Sequence, residues 1–125
     1  MQELSQDLNK KFKDQQIVAI GILKGSFSFY SDLIRSLTCR VLCDFCIASR
    51  YGKREEPSNE AKLILDTDLN ISGRHVLLIE DIVDRGITLN FLQSHFKTRD
   101  PLSLTTVTLI TVSYTHLTLP TIYSV

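Results

Sequence analysis

The chain has no net charge: 14 Lys and Arg stand against 14 Asp and Glu, and the isoelectric point is near 6.8. Without a basic excess, nothing advertises nucleic-acid or membrane-surface binding. A polyanionic ligand would have to be met locally, by backbone dipoles, a metal or a few cations. No run reaches the roughly 18 apolar residues of a membrane span. The first residues, MQELSQDLNKKFKD, lack the apolar segment of a signal peptide, so a cytoplasmic location is expected. Neither G-x-G-x-x-G nor G-x-x-x-x-G-K-[ST] occurs, which weighs against a dinucleotide site and a P-loop. Internal repeats and low-complexity tracts are absent as well. A length of 125 residues at 43% hydrophobic content fits one domain, or part of one, with enough apolar material for a core.

Cysteine is sparse. The three, Cys39, Cys43 and Cys46, have the C-x3-C-x2-C spacing of iron–sulfur radical enzymes. That signature needs a loop that turns three thiolates toward one cluster. Here residues 41–48 (VLCDFCIA) read as a strand, where positions three apart face opposite sides, so Cys43 and Cys46 cannot converge. They are expected to be ordinary small residues without a disulfide.

What is present is a succession of strands and amphipathic helices. Leu4, Leu8 and Phe12 mark a short helix with Glu3 early and Lys10, Lys11 and Lys13 late, which suits the helix dipole. Residues 17–23 (IVAIGIL) read as a buried strand ending at Lys24, Gly25 and Ser26. A helix follows, with Phe27, Tyr30, Leu33, Ile34 and Leu37 expected on one face. A strand over 41–49 then completes a β–α–β unit. Residues 51–60 (YGKREEPSNE) are polar and aperiodic and read as a mobile loop. A short strand (61–65) and a turn at 70–74 come next, with Gly73 expected at positive φ. Later, Leu89, Leu92 and Phe96 mark a helix that Asp100–Pro101 stops, and 104–110 form a further strand.

The chain is organised around residues 76–89, VLLIEDIVDRGITL. Val76, Leu77, Leu78 and Ile79 run without alternation, as in a strand buried on both faces of a parallel sheet. Glu80 and Asp81 are expected at its end, followed by Asp84, Arg85, Gly86, Ile87 and Thr88 at the opening of a helix. This layout puts carboxylates at the carboxyl end of a parallel strand, where open α/β sheets bind ligands. Backbone N–H groups at the helix opening can hold a phosphate. Each residue alone has a plainer reading: strand-end polar groups for Glu80 and Asp81, a helix cap for Asp84, a solvated lysine for Lys24.

Together the stretches resemble type I phosphoribosyltransferases, and the Glu-Asp-Ile-Val-Asp form looks most like the hypoxanthine(-guanine) phosphoribosyltransferases. GILKGSFSFYSDLI (21–34) resembles the family's first loop and helix, SRYG (Ser49, Arg50, Tyr51, Gly52) its Ser-Tyr lid motif, and residues 63–89 the stretch leading into and through the phosphoribosyl loop. The resemblance implies an α/β domain with a central, mainly parallel sheet, helices on both sides and a flexible hood loop. It implies purine salvage: transfer of a phosphoribosyl group from phosphoribosyl pyrophosphate to hypoxanthine or guanine, giving IMP or GMP. Lys24 and Gly25 would touch pyrophosphate, in the family through a strained peptide. Glu80 and Asp81 would fix the ribose hydroxyls, directly or through water on a Mg²⁺ ion. Asp84 would be the general base at the purine N7. The turn of Asp84, Arg85, Gly86, Ile87 and Thr88 would wrap the 5′-phosphate, Gly86 allowing close backbone approach. Residues 49–60 would close over the site and exclude water. A homodimer or homotetramer, with no nucleic-acid or membrane partner, also follows from the resemblance. The rival readings are another base specificity, an RNA-binding regulator on the same fold, and an inactive fragment.

Three departures from the family pattern stand out. Arg85 replaces the usual Thr or Ser and Arg50 a common Ser. Nothing after Ile110 supplies the lysine, stacking aromatic and second-metal acid of the family's purine pocket. Residues 112–121 (VSYTHLTLPT) look instead like a one-frame translation of a transposase adapter. Residues 1–111 are therefore expected to be a partial domain, incomplete at the C-terminus, and 112–125 a non-native tail. A natural C-terminal strand is the alternative, and sequencing the gene across these codons separates the two.

Overall fold

The two apolar runs, residues 17–20 and 76–79, become neighbouring strands at the centre of one sheet. The computed structural model describes residues 2–50, 61–83, 87–111 and 122–124. In chain order these form α1 (Gln2–Lys11), β1 (Gln16–Ile22), α2 (Phe27–Ser36), β2 (Arg40–Arg50), β3 (Ala61–Leu65), β4 (His75–Val83), α3 (Ile87–Lys97), β5 (Ser103–Thr111) and β6 (Ile122–Ser124). The sheet order is β3-β2-β1-β4-β5-β6. All pairings are parallel except that of β2 with β3. The expected mainly parallel α/β sheet is therefore present, with an antiparallel edge strand. β6 pairs with β5, Ile122 lying opposite Thr106.

Every residue of 17–20 and 76–79 is fully buried, because helices cover both faces. Val18, Ile20, Ile22, Val76 and Leu78 pack beneath Leu89, Leu92 and Phe96 of α3. Ile17, Ala19, Leu77 and Ile79 pack beneath Leu4 and Leu8 of α1, Phe12 just beyond it, and Phe29, Tyr30 and Leu33 of α2. The two-residue alternation of a strand thus sorts one continuous apolar run into two cores. It sorts the cysteines too. Cys46 is buried beneath α3, Cys43 is exposed, and all three cysteines are free.

Three details differ from the sequence reading. β4 continues past Ile79 to Val83, its backbone still paired with β5 (Glu80 opposite Thr108, Val83 opposite Thr111). Glu80 and Asp81 therefore lie within the strand and not beyond its end, because the neighbouring strand is long enough to keep pairing them. Phe27, expected on the buried face of α2, is 64% exposed, while Phe29 is buried. Two positions apart on a helix are about 200° apart around it, so only one of these phenylalanines can face the sheet. Leu37 lies just past the end of α2, at its C-cap.

Small residues and polar pairs finish the frame. A Cβ on Gly21 would lie 2.6 Å from Cδ2 of Tyr30, whose hydroxyl donates to the Ala19 carbonyl at 2.8 Å. Gly73 has φ +70, as the turn at 70–74 requires. Between β3 and β4, Asp66 accepts a hydrogen bond from Arg99 and contacts Nε2 of His95 at 2.9 Å, and the Thr67 hydroxyl donates to Asp44. Among the described residues no helix is long and apolar enough to cross a membrane.

Candidate active site

Strand order reverses between β1 and β4. From β1 the chain passes through α2 to β2 on one side; from β4 it passes through α3 to β5 on the other. Such a point leaves a crevice at the carboxyl ends of the two strands. Both stretches singled out in the sequence emerge there. Gly21 of β1 lies opposite Ile79 of β4, so Lys24–Gly25 and the acids Glu80 and Asp81 come off the same end of adjacent strands. β2 is parallel to β1, and its last residues, Ser49 and Arg50, reach the same end, paired to Lys62 and Ala61 of β3.

The loop after β1 is short and heavily tied. The Leu23 N–H donates to the Cys46 carbonyl at 2.9 Å, Phe27 N–H to Lys24 at 3.3 Å and Tyr30 N–H to Ser26 at 2.7 Å. The Leu23–Lys24 peptide is cis. Lys24 and Gly25 are exposed, while Ile22 and Ser26 on either side are buried.

On β4, Glu80 is half-buried. Its field reaches Cys46, whose thiol is pushed up to about 12 by burial first and then by Asp66, Glu80 and Asp44. By strand alternation Glu80 is on the side of Val76 and Leu78, which pack beneath α3. Asp81 follows it in β4. Ile87 opens α3 and Thr88 lies half-buried in its first turn. Asp84, Arg85 and Gly86, and the lid residues Tyr51 and Gly52, lie outside the described residues. Of the expected site residues, the fold brings Lys24, Gly25, Ser49, Arg50, Glu80, Asp81, Ile87 and Thr88 to one end of the sheet and separates none of them.

Ser26 escaped the sequence reading as anything more than the end of a strand turn. The available signal was a serine at a helix opening, a capping residue type. The backbone tie from Cys46 to the loop had no sequence signal, since any residue offers a carbonyl.

Among the described residues no group of three or more His, Cys, Asp or Glu could hold a metal ion unaided. A hard cation beside Glu80 would take most of its oxygens from water and from a bound phosphate, which is how Mg²⁺ is commonly held, and the half-buried Glu80 carboxylate is a donor of that kind.

An open, mainly parallel sheet with a tied loop and an acid-bearing strand at its switch point defines an α/β ligand-binding domain. The family described as "Phosphoribosyl transferase domain" matches residues 1–118, and the chain belongs to that family. It is 39% identical over 110 residues to the hypoxanthine-guanine phosphoribosyltransferase of Bacillus subtilis, covering 88% of this chain and 61% of that protein. It is 40% identical over 112 residues to the enzyme of the same name from Dictyostelium discoideum, covering 86% and 62%. A crystal structure of a hypoxanthine-guanine phosphoribosyltransferase from Bacillus anthracis, with HEPES in its active site, superposes with a TM-score of 0.87 at 38% identity, covering 99% of this chain and 76% of that one. The chain thus spans about three fifths of the length of these curated relatives.

Proposed function

We propose that this domain binds phosphoribosyl pyrophosphate at the switch point between β1 and β4, and that the protein transfers the phosphoribosyl group to hypoxanthine or guanine, releasing pyrophosphate. The observation that carries the reading is that the Lys24–Gly25 loop and the acid-bearing end of β4 lie at the same end of two adjacent central strands. A phosphoribosyl donor has two anionic ends about a ribose apart, and two strand ends about 4.8 Å apart suit it.

The chemistry follows from charge. Displacement at C1 of the sugar builds positive charge on the ribose and negative charge on the leaving pyrophosphate. The N–H groups at the opening of α3 and the Thr88 hydroxyl hold the 5′-phosphate. Lys24 and the Gly25 backbone hold the pyrophosphate as it gains charge. Glu80 and Asp81 hold the ribose hydroxyls; they would also be the residues to meet a Mg²⁺ ion, which when bound would neutralise and orient the pyrophosphate. Asp84 takes or shares the proton on the purine N7. The working protein is a homodimer or homotetramer in the cytoplasm.

Asp84→Asn tests the central assignment. IMP formation from hypoxanthine should fall by about 10²–10⁴-fold, the usual contribution of a general base, with donor affinity little changed in a parallel titration. Unchanged turnover would remove Asp84 from that role.

A further inference from the structure

Ser26 stands at the N-cap of α2, where a serine side chain normally accepts a hydrogen bond from the helix's own N–H groups. It makes no such bond; its backbone is already helical, with φ −77 and ψ −4. Its hydroxyl donates backwards instead, to the carbonyl of Ile22 at 2.6 Å. Ile22 is the last residue of β1, and Ser26 is fully buried. The bond therefore joins the strand's end to the helix's start across three residues. Two of those three, Lys24 and Gly25, are exposed. The remaining ties in this loop are backbone bonds, from Leu23 to Cys46 and from Phe27 to Lys24, which no side-chain substitution removes directly.

We propose that Ser26 is a positioning residue: its hydroxyl staples β1 to α2 and thereby fixes the exposed Lys24–Gly25 backbone in the shape that receives the pyrophosphate end of the donor. The proposal rests on the reading of Lys24 and Gly25 given above. It goes further in assigning the loop's shape to one buried hydroxyl that touches no ligand. A residue that merely stabilised the fold would affect both anionic ends of the site alike. A staple on this loop affects one end only.

The test is a calorimetric titration of the whole chain with magnesium pyrophosphate and, separately, with ribose 5-phosphate. Ser26→Ala should weaken pyrophosphate binding about tenfold, the scale of one lost buried hydrogen bond, and leave ribose 5-phosphate binding unchanged. Ser26→Cys, close in size and a weaker donor, should show the same split to a smaller degree, and serves where the alanine variant fails to fold. Equal loss of both ligands, or loss of neither, would overturn the role of Ser26. Gly25→Val separates this from the underlying reading. If the unsubstituted chain does not bind pyrophosphate, or binds it as well with Gly25→Val, the loop is not a pyrophosphate site and the proposal falls with it.

Discussion

Cys46 and Tyr30 are packed on opposite faces of the sheet, and both keep their protons because burial disfavours the charged form. The Cys46 thiol is pushed from an ordinary 9.0 up to about 12, and burial pushes the Tyr30 phenol well above its ordinary 10.0. The unfolded chain ionises both groups near their ordinary values, so above these it binds fewer protons than the folded one. Stability should therefore be full below about pH 9 and fall as pH rises through the folded values, by up to about 1.4 kcal/mol per pH unit for each group. Urea midpoints at about pH 8 and about pH 10.5 check this, the second being lower, and Cys46→Ala should reduce the drop. A flat profile would contradict it. Cysteine placement was legible in the sequence, since strand alternation alone separates Cys43 from Cys46. The thiol's surroundings were only partly so: Asp44 is two residues away on the same strand, but Asp66 and Glu80 approach from other segments.

At the scale of elements, polar ties connect pieces that periodicity treats separately. Asp66, just past β3, contacts His95 in α3 and Arg99 beyond it, with its side chain 27% exposed. It also accepts the Thr67 N–H at 2.7 Å. The pair of Arg35 with Asp32 is different: its side chains are 71% and 54% exposed, and exposed pairs contribute little. Asp66→Ala should lower the unfolding free energy by about 1–2 kcal/mol, whereas Asp32→Ala should cost at most about 0.5 kcal/mol. Urea denaturation of the two variants checks the contrast, and equal effects would contradict it. Element existence was readable from apolar spacing, as Leu89, Leu92 and Phe96 show for α3. Element ends were not. Whether β4 stops at Ile79 or runs to Val83 is decided by the length of β5, and whether Phe27 or Phe29 faces the sheet is decided by where α2 begins. The Asp66 contacts were invisible for a related reason: a loop acid and a histidine and an arginine near a helix end declare no partnership in one dimension.

For the whole molecule, the informative quantity is strand order. The sequence shows a β–α–β unit, a short strand after a polar loop and a second strand–helix–strand run. It does not say on which side of β1 the second run adds. Placing β4 beside β1, opposite β2, creates the switch point and brings Lys24–Gly25 and the acids Glu80 and Asp81, distant in sequence, to the same end of adjacent strands. The motifs were legible because each is local. Their juxtaposition was available only through the family resemblance, since spacing along the chain carries no information on strand neighbours. The same placement buries residues 17–20 and 76–79 on both faces, so the site stands at the end of the best-packed part of the fold.

The most direct measurement is a calorimetric titration of the 125-residue chain with phosphoribosyl pyrophosphate in the presence of Mg²⁺. The expected result is saturable binding of one donor per chain, weakened about tenfold by Thr88→Val, which keeps the side chain's shape and removes its hydroxyl. Absence of saturable binding, or binding indifferent both to Thr88→Val and to Gly25→Val, would contradict a phosphoribosyl site between β1 and β4.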